Sequence, residues 1–219
     1  MAYSRRSPMS RSVKRAADIA GSASAIVLLA PLLLVIATAI RLTSRGPVLF
    51  AQERTGRRGR PFRLYKFRTM TGAPTVVVGH ETQTNDPRIT TVGRWLRRTG
   101  CDELPQLINV LRGEMSLVGP RPLLAWENAL CEGREAHRLH VLPGLTGLAQ
   151  VNGRNAIPWS ERIVWDVTYV EQESLALDLS ILLRTIPVVL LGRHAYATTL
   201  EEARPTPKRG IIEAGRECA

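Results

Sequence analysis

The sequence predicts a mainly helical α+β protein, a membrane helix followed by a small cytoplasmic domain with a short β-hairpin. Three observations predict it. Residues 19–40 form a run of 22 without a charge, between Asp18 and Arg41. Two short extended segments follow, separated by a glycine-containing connector. Beyond them, apolar residues recur at helical spacing.

Charge supports the division. The chain has 219 residues, 30 Lys+Arg against 19 Asp+Glu, and a formal net charge of +11. Residues 1–63 hold 12 basic and 2 acidic side chains. A block of this kind suits nucleic acid, an anionic bilayer or phosphate-bearing substrates. Here it surrounds the long apolar run, and no aromatic-basic platform for stacking bases accompanies it. An anionic phospholipid bilayer is therefore the expected partner and nucleic acid is not. The 3 cysteines are odd in number and show no CxxC spacing. Neither a disulfide framework nor a zinc site follows, and reduced cytoplasmic thiols are expected.

As a straight helix the uncharged run would reach about 33 Å, enough for a hydrocarbon core of roughly 30 Å. A cleaved signal is a poor fit, because the basic segment Arg41 to Arg45 follows where small residues would be needed. Pro31 lies inside the run, removes one backbone donor and crowds the carbonyl of Val27. Basic residues flank both ends: Arg5, Arg6, Arg11, Lys14 and Arg15 before, Arg41, Arg45, Arg54, Arg57 and Arg58 after. The positive-inside tendency places both flanks in the cytoplasm. The residues alone leave two forms open, a kinked spanning helix and a helix broken at Ala30-Pro31 that returns to the same face.

Gly46–Phe50 and Pro61–Tyr65 read as the two hairpin strands, with Gly56 and Gly59 in the connector. Thr71–Asn85 has no periodicity and reads as a loop or variable insert. Helices are expected at Thr91–Arg98, Asp102–Arg112, Trp126–His140, Ser160–Gln172 and Leu179–Leu191. In the second of these, Leu104, Leu107, Ile108 and Leu111 share a face. Gly113–Pro122 and Pro143–Arg154 are turn-rich loops. The chain thus divides into a basic tail 1–13, a membrane helix 14–41, a domain 42–193 and a polar tail 194–219.

Chemistry concentrates around Asp102-Glu103. Two acids at a helix start are usually satisfied by the helix dipole and do nothing more. Their neighbourhood is less ordinary. Arg97 and Arg98 precede them, Lys66 and Arg68 end the second strand, and a glycine-proline loop presents Arg121. Asn152-Gly153-Arg154 adds a further cation. Arginine forks match phosphate oxygens, and a carboxylate beside them can hold Mg²⁺ bridging a diphosphate.

The motifs Lys66-Phe67-Arg68-Thr69-Met70, Asp86-Pro87-Arg88-Ile89-Thr90, Asp102-Glu103-Leu104-Pro105-Gln106, Asn109-Val110-Leu111-Arg112-Gly113, Met115-Ser116-Leu117-Val118-Gly119-Pro120-Arg121-Pro122 and Pro143-Gly144-Leu145-Thr146-Gly147 occur in that order. Together they resemble the bacterial sugar transferase family, the monotopic phosphoglycosyl transferases. The likeness runs from about Lys14 to Arg193, similar to the short members that consist of the catalytic unit. It implies a re-entrant helix, Mg²⁺ dependence and a covalent mechanism. The implied reaction moves a sugar-1-phosphate from a UDP-sugar to undecaprenyl (polyprenyl) phosphate with release of UMP. That is the first membrane step of a polysaccharide or glycoconjugate pathway, at the cytoplasmic face of the inner membrane.

Carried onto this chain, the resemblance makes Asp102 the nucleophile and Glu103 its partner, with the pair as metal ligands. Lys66, Arg68, Arg97, Gln106, Arg121 and Arg154 become candidates for substrate and phosphate contacts. A homodimer is compatible with it. The family usually has serine before the helix-breaking proline; Ala30 stands there instead and cannot bond a freed carbonyl. The rival reading is a non-catalytic membrane scaffold of the same fold, against which the intact Asp102-Glu103 pair and Arg121 argue.

Overall fold

A computed structural model of the chain describes residues 6–72, 86–153 and 156–190. The first helix, α1, spans Pro8–Thr43. Ser7 caps it, its hydroxyl accepting from the Ser10 amide, and Pro8 opens the first turn, where a missing donor costs nothing. α1 begins inside the expected basic tail, because this cap lies upstream of the uncharged run. It also continues through Pro31 as one helix. The neighbouring Leu and Ala residues are strong helix formers, and one absent hydrogen bond does not end the element.

Both halves of α1 pack on the same domain. In the first half, Asp18 and Ser22 are buried; in the second, Ile36 and Ile40 are. Residues 23–35 between them expose Val27, Leu28, Leu34 and Val35, along with Ala30 and Pro31.

The hairpin pairs β1 (Leu49–Thr55) with β2 (Pro61–Phe67), antiparallel, from Leu49 opposite Phe67 to Thr55 opposite Pro61. The first strand starts later than expected. Gly46 takes a φ of 116° and Pro47 has no amide to donate, so pairing begins only beyond them. The insert expected at 71–85 closes on a Met70–Ile89 bridge, and its residues 73–85 lie outside the described residues.

Helix α2 (Thr91–Thr99) is capped by the Thr90 hydroxyl and stopped by Gly100 at φ 76°. The helix expected over Asp102–Arg112 forms only in part. Residues Cys101–Glu103 make a 3₁₀ turn, and α3 covers Gln106–Arg112, entered through Pro105. Pro105 has no amide to bond back into the preceding turn, which separates the two pieces. α3 is stitched to β2 by Asn109, which is fully buried. Its Nδ2 donates to the Arg63 carbonyl at 2.7 Å, and its Oδ1 accepts from the Tyr65 amide at 3.1 Å.

The two loops around Gly119 and Gly144 contain a small parallel sheet, β3 (Ser116–Val118) with β4 (Gly144–Thr146). Close backbone approach explains the glycines. A Cβ on Gly144 would land on the Gly119 amide, and one on Gly119 would strike the Leu142 carbonyl. The helix expected over Trp126–His140 is instead α4 (Ala125–Asn128) followed by a 3₁₀ run, Gly133–His140. Gly133 interrupts it at φ 56°.

Short α5 (Leu148–Val151) leads to α6 (Trp159–Gln172) and α7 (Leu175–Leu190). Val118, Leu148, Tyr169, Val170 and Ile181 form one core; Phe62, Leu64, Val110 and Met115 form a second under the hairpin. Ile36, Ile40, Phe67 and Leu96 join the end of α1 to β2 and α2.

Polar contacts fix the start of α1. Arg6 is buried, donating to Asp178 at 2.7 Å and Glu173 at 3.1 Å. Lys14 reaches the same Asp178 oxygen at 3.1 Å and the Val118 carbonyl at 3.1 Å. The Tyr169 hydroxyl lies between Asp178 Oδ1 (2.7 Å) and the Val118 carbonyl (3.0 Å). Asp18 accepts from Ser116 Oγ and the Leu117 amide. Arg15 donates to the Val110 and Leu111 carbonyls, covering the end of α3.

Candidate active site

Three elements converge on Glu103. The end of β2 supplies Lys66, the 3₁₀ turn supplies Asp102 and Glu103, and the loop after β3 supplies Arg121. Lys66 Nζ is 3.0 Å from Glu103 Oε1, and Arg121 Nη2 is 2.9 Å from the same oxygen. Arg121 Nη1 reaches Oε2 at 3.5 Å. Glu103 therefore holds two cations on one oxygen, and Arg121 also reaches the other.

Asp102 differs from its neighbour. It is half-buried, and among the described residues no hydrogen bond or ion pair to its carboxylate is formed. Burial raises its pKa above 3.8, and the Glu103 charge adds to the rise; Lys66, Arg97 and Arg121 pull the other way. Burial likewise lowers the Lys66 pKa, against the attraction of Glu103. The Arg121 guanidinium is held firmly charged, first by Glu103. A partly desolvated carboxylate without partners, surrounded by cations, can serve as a nucleophile or a metal ligand.

The other expected residues fall in different places. Arg97, on α2, donates to Thr69 Oγ1 at 2.9 Å and to the Met70 sulfur at 3.1 Å, and its charge is felt at Asp102. Gln106 is buried at the start of α3, three residues after Glu103. Arg68 makes its hydrogen bonds elsewhere: Nη2 donates to the carbonyl (2.8 Å) and hydroxyl (2.9 Å) of Ser44, finishing α1. Arg154 lies outside the described residues. Ala30 and Pro31 sit on the exposed middle of α1, away from the dyad in the chain and in packing.

Sequence reasoning missed Asn109, which sets the height of β2 and so of Lys66. Its signal was a polar residue on the buried face between Leu107 and Val110.

A divalent cation is tested by the donors present. No group of three or more His, Cys, Asp or Glu gathers among the described residues. Asp102 and Glu103 give two carboxylates, the number with which Mg²⁺ is commonly held when substrate phosphates complete its shell. The donor set fits a metal that arrives with a diphosphate.

A family model described as bacterial sugar transferase matches residues 9–192. The chain is 45% identical over 195 residues to an undecaprenyl-phosphate glucose phosphotransferase of Komagataeibacter xylinus. That match takes in 84% of this chain and 37% of the relative, so the chain spans little more than a third of that protein. It is 38% identical over 204 residues to the exopolysaccharide production protein ExoY of Rhizobium meliloti (strain 1021), covering 86% of this chain and 90% of the relative. A UDP-glucose:undecaprenyl-phosphate glucose-1-phosphate transferase of Caulobacter vibrioides is 45% identical over 194 residues, 84% of this chain and 72% of that protein.

Proposed function

Because the chain belongs to the bacterial sugar transferase family, we propose that it moves a sugar-1-phosphate from a UDP-sugar to undecaprenyl phosphate through a covalent aspartyl-phosphosugar. One observation carries the assignment of roles. Of two adjacent carboxylates, Glu103 is committed to Lys66 and Arg121, while Asp102 is left without a partner.

An Asp102 oxygen attacks the sugar-bearing phosphorus in line, and the bond from that phosphorus to the bridging oxygen breaks. UMP leaves with the electron pair. An oxygen of the lipid phosphate then attacks the same phosphorus and expels the Asp102 carboxylate. Lys66 and Arg121 stand where charge develops on the diphosphate, and Arg97 adds to the field. Glu103 holds both cations in place between turnovers. Mg²⁺, held by Asp102 and Glu103 together with the diphosphate, would neutralise charge on the leaving phosphate. The catalytic unit in this reading is 42–193.

The site must meet one soluble and one membrane-bound substrate, and the packing of α1 supports how it does so. Between Ser22 and Leu33, which packs against the Ile36–Leu96 core, lie residues 23–32, about 15 Å of helix against a hydrocarbon core of roughly 30 Å. A spanning helix would pull either Asp18 and Ser22 or Ile36 and Ile40 off their partners. The helix therefore dips in and stays on the cytoplasmic side of the inner membrane, with the catalytic domain facing the cytoplasm. Cysteines introduced as Met9→Cys and Thr43→Cys, singly and in a background lacking the native thiols, should both react with an impermeant reagent only from the cytoplasmic side. Reaction of Met9→Cys from outside would establish a spanning helix.

The activity itself is tested with a panel of UDP-sugars in detergent. One UDP-sugar should release about one equivalent of UMP per enzyme without lipid, as expected of a covalent step, and turn over continuously when undecaprenyl phosphate is added. No UMP from any donor in the presence of the lipid would refute the assignment.

A further inference from the structure

Arg121 is one of the two cations on Glu103, yet it stands on a loop between two prolines rather than on a helix or strand. Something else must fix its backbone. Arg138, in the 3₁₀ run Gly133–His140, and Asp166, on α6, form an ion pair of 2.7 Å with side chains 2% and 3% exposed. Arg138 Nη2 donates to the Arg121 carbonyl as well as to Asp166 Oδ2, and Nε donates to Oδ2 at 3.2 Å. Nη1 is held by Asn128 Oδ1 at 2.9 Å, which orients the guanidinium. Burial raises the Asp166 pKa against the pull of Arg138. The Arg121 carbonyl thus meets one buried ion pair. On the far side, Arg54 donates to the Pro122 carbonyl at 3.3 Å.

A buried pair of this kind is a poor stabiliser, because removing two ions from water offsets most of their attraction, and apolar residues of similar size are often as stable or more so. Its geometry serves another purpose. We propose that Arg138 and Asp166 are positioning residues for the transfer reaction, clamping the Arg121 peptide so that its guanidinium meets Glu103 and the substrate diphosphate. Neither side chain reaches the dyad. The inference rests on the function proposed above.

The test is the rate of adduct formation from UDP-sugar, per folded molecule, with thermal melting measured in parallel. In the double variant Arg138→Met, Asp166→Leu no lone charge is left buried, so it should melt no lower than the unaltered protein. Adduct formation should nevertheless slow by about 10- to 100-fold, the scale of a displacement near 1 Å in a catalytic group. The loss should appear in kcat rather than KM. Arg138→Lys, which can still donate to Asp166, should recover part of the rate. A folded double variant within about twofold of the unaltered rate overturns the proposal, as does a loss that merely follows the folded fraction. Should the double variant fail to fold, Arg138→Lys decides: slower adduct formation at an unchanged melting temperature upholds the clamp, and an unchanged rate overturns it. If the unaltered protein forms no adduct, the function assigned above fails first and the clamp with it.

Discussion

Asp102→Asn should lower sugar-phosphate transfer by at least about a thousandfold and remove the covalent adduct, since on the proposed mechanism Asp102 bonds to phosphorus and an amide cannot. Glu103, the adjacent acid, is already paired with Lys66 and Arg121. Intact-mass spectrometry after brief exposure to UDP-sugar should show the sugar-phosphate increment on the unaltered protein and none on Asp102→Asn. An adduct that persists in the variant reassigns the nucleophile. The same substitution should make the protein more stable. Burial raises the Asp102 pKa in the folded state, so folding favours the protonated form. That preference helps the fold at low pH and is lost as pH rises through the raised pKa. At neutral pH the ionised side chain is a burden, and asparagine relieves it. Each kcal/mol relieved raises melting by about 2–4 °C in a chain of this size. The requirement for the ionised form also places the acid limb of the rate profile above the 3.8 of an ordinary aspartate.

Asp178→Ala should be the most damaging change to stability. It removes the shared partner of Arg6, Lys14 and Tyr169, leaving the Arg6 guanidinium buried with Glu173 as its remaining carboxylate contact. Breaking a buried pair from one side costs about 3–5 kcal/mol, or melting lowered by roughly 10 °C. Limited proteolysis should then cut first near Arg6 to Arg15, where α1 loses its hold on α7. A shift below about 1 kcal/mol would mean that water already screens these charges. Asp178→Asn retains an acceptor for Arg6 and should fall between the two.

Much of the site was readable because its chemistry is carried by charge type and by glycine and proline. Lys66, Glu103 and Arg121 come together in space from separate motifs, each recognisable in the chain. What escaped was set by contacts distant in sequence. β3 and β4 are three residues each, too short for any alternation, and their pairing exists only because Gly119 and Gly144 admit two backbones side by side. Arg68 looked like one more phosphate cation; in space it closes the end of α1 on Ser44. The helix expected from Asp102 was split at Pro105, and the one from Trp126 ended at Asn128 and resumed at Gly133 only as a 3₁₀ run. Asn109 stood out only as a polar residue among apolar neighbours. Its role appears only once β2 lies beside α3.

The shallow seating proposed for α1 would have a mechanical consequence. Inserted through residues 23–32 alone, the helix would displace lipid from the inner leaflet and leave the outer leaflet's area unchanged. It acts as a wedge, and its insertion energy therefore depends on how tightly that one leaflet is packed. Membranes whose inner leaflet is crowded or bent inward should accept it less readily than flat or loosely packed ones. No polar residue has to travel through the bilayer, so insertion can follow folding of the domain and requires no choice of orientation.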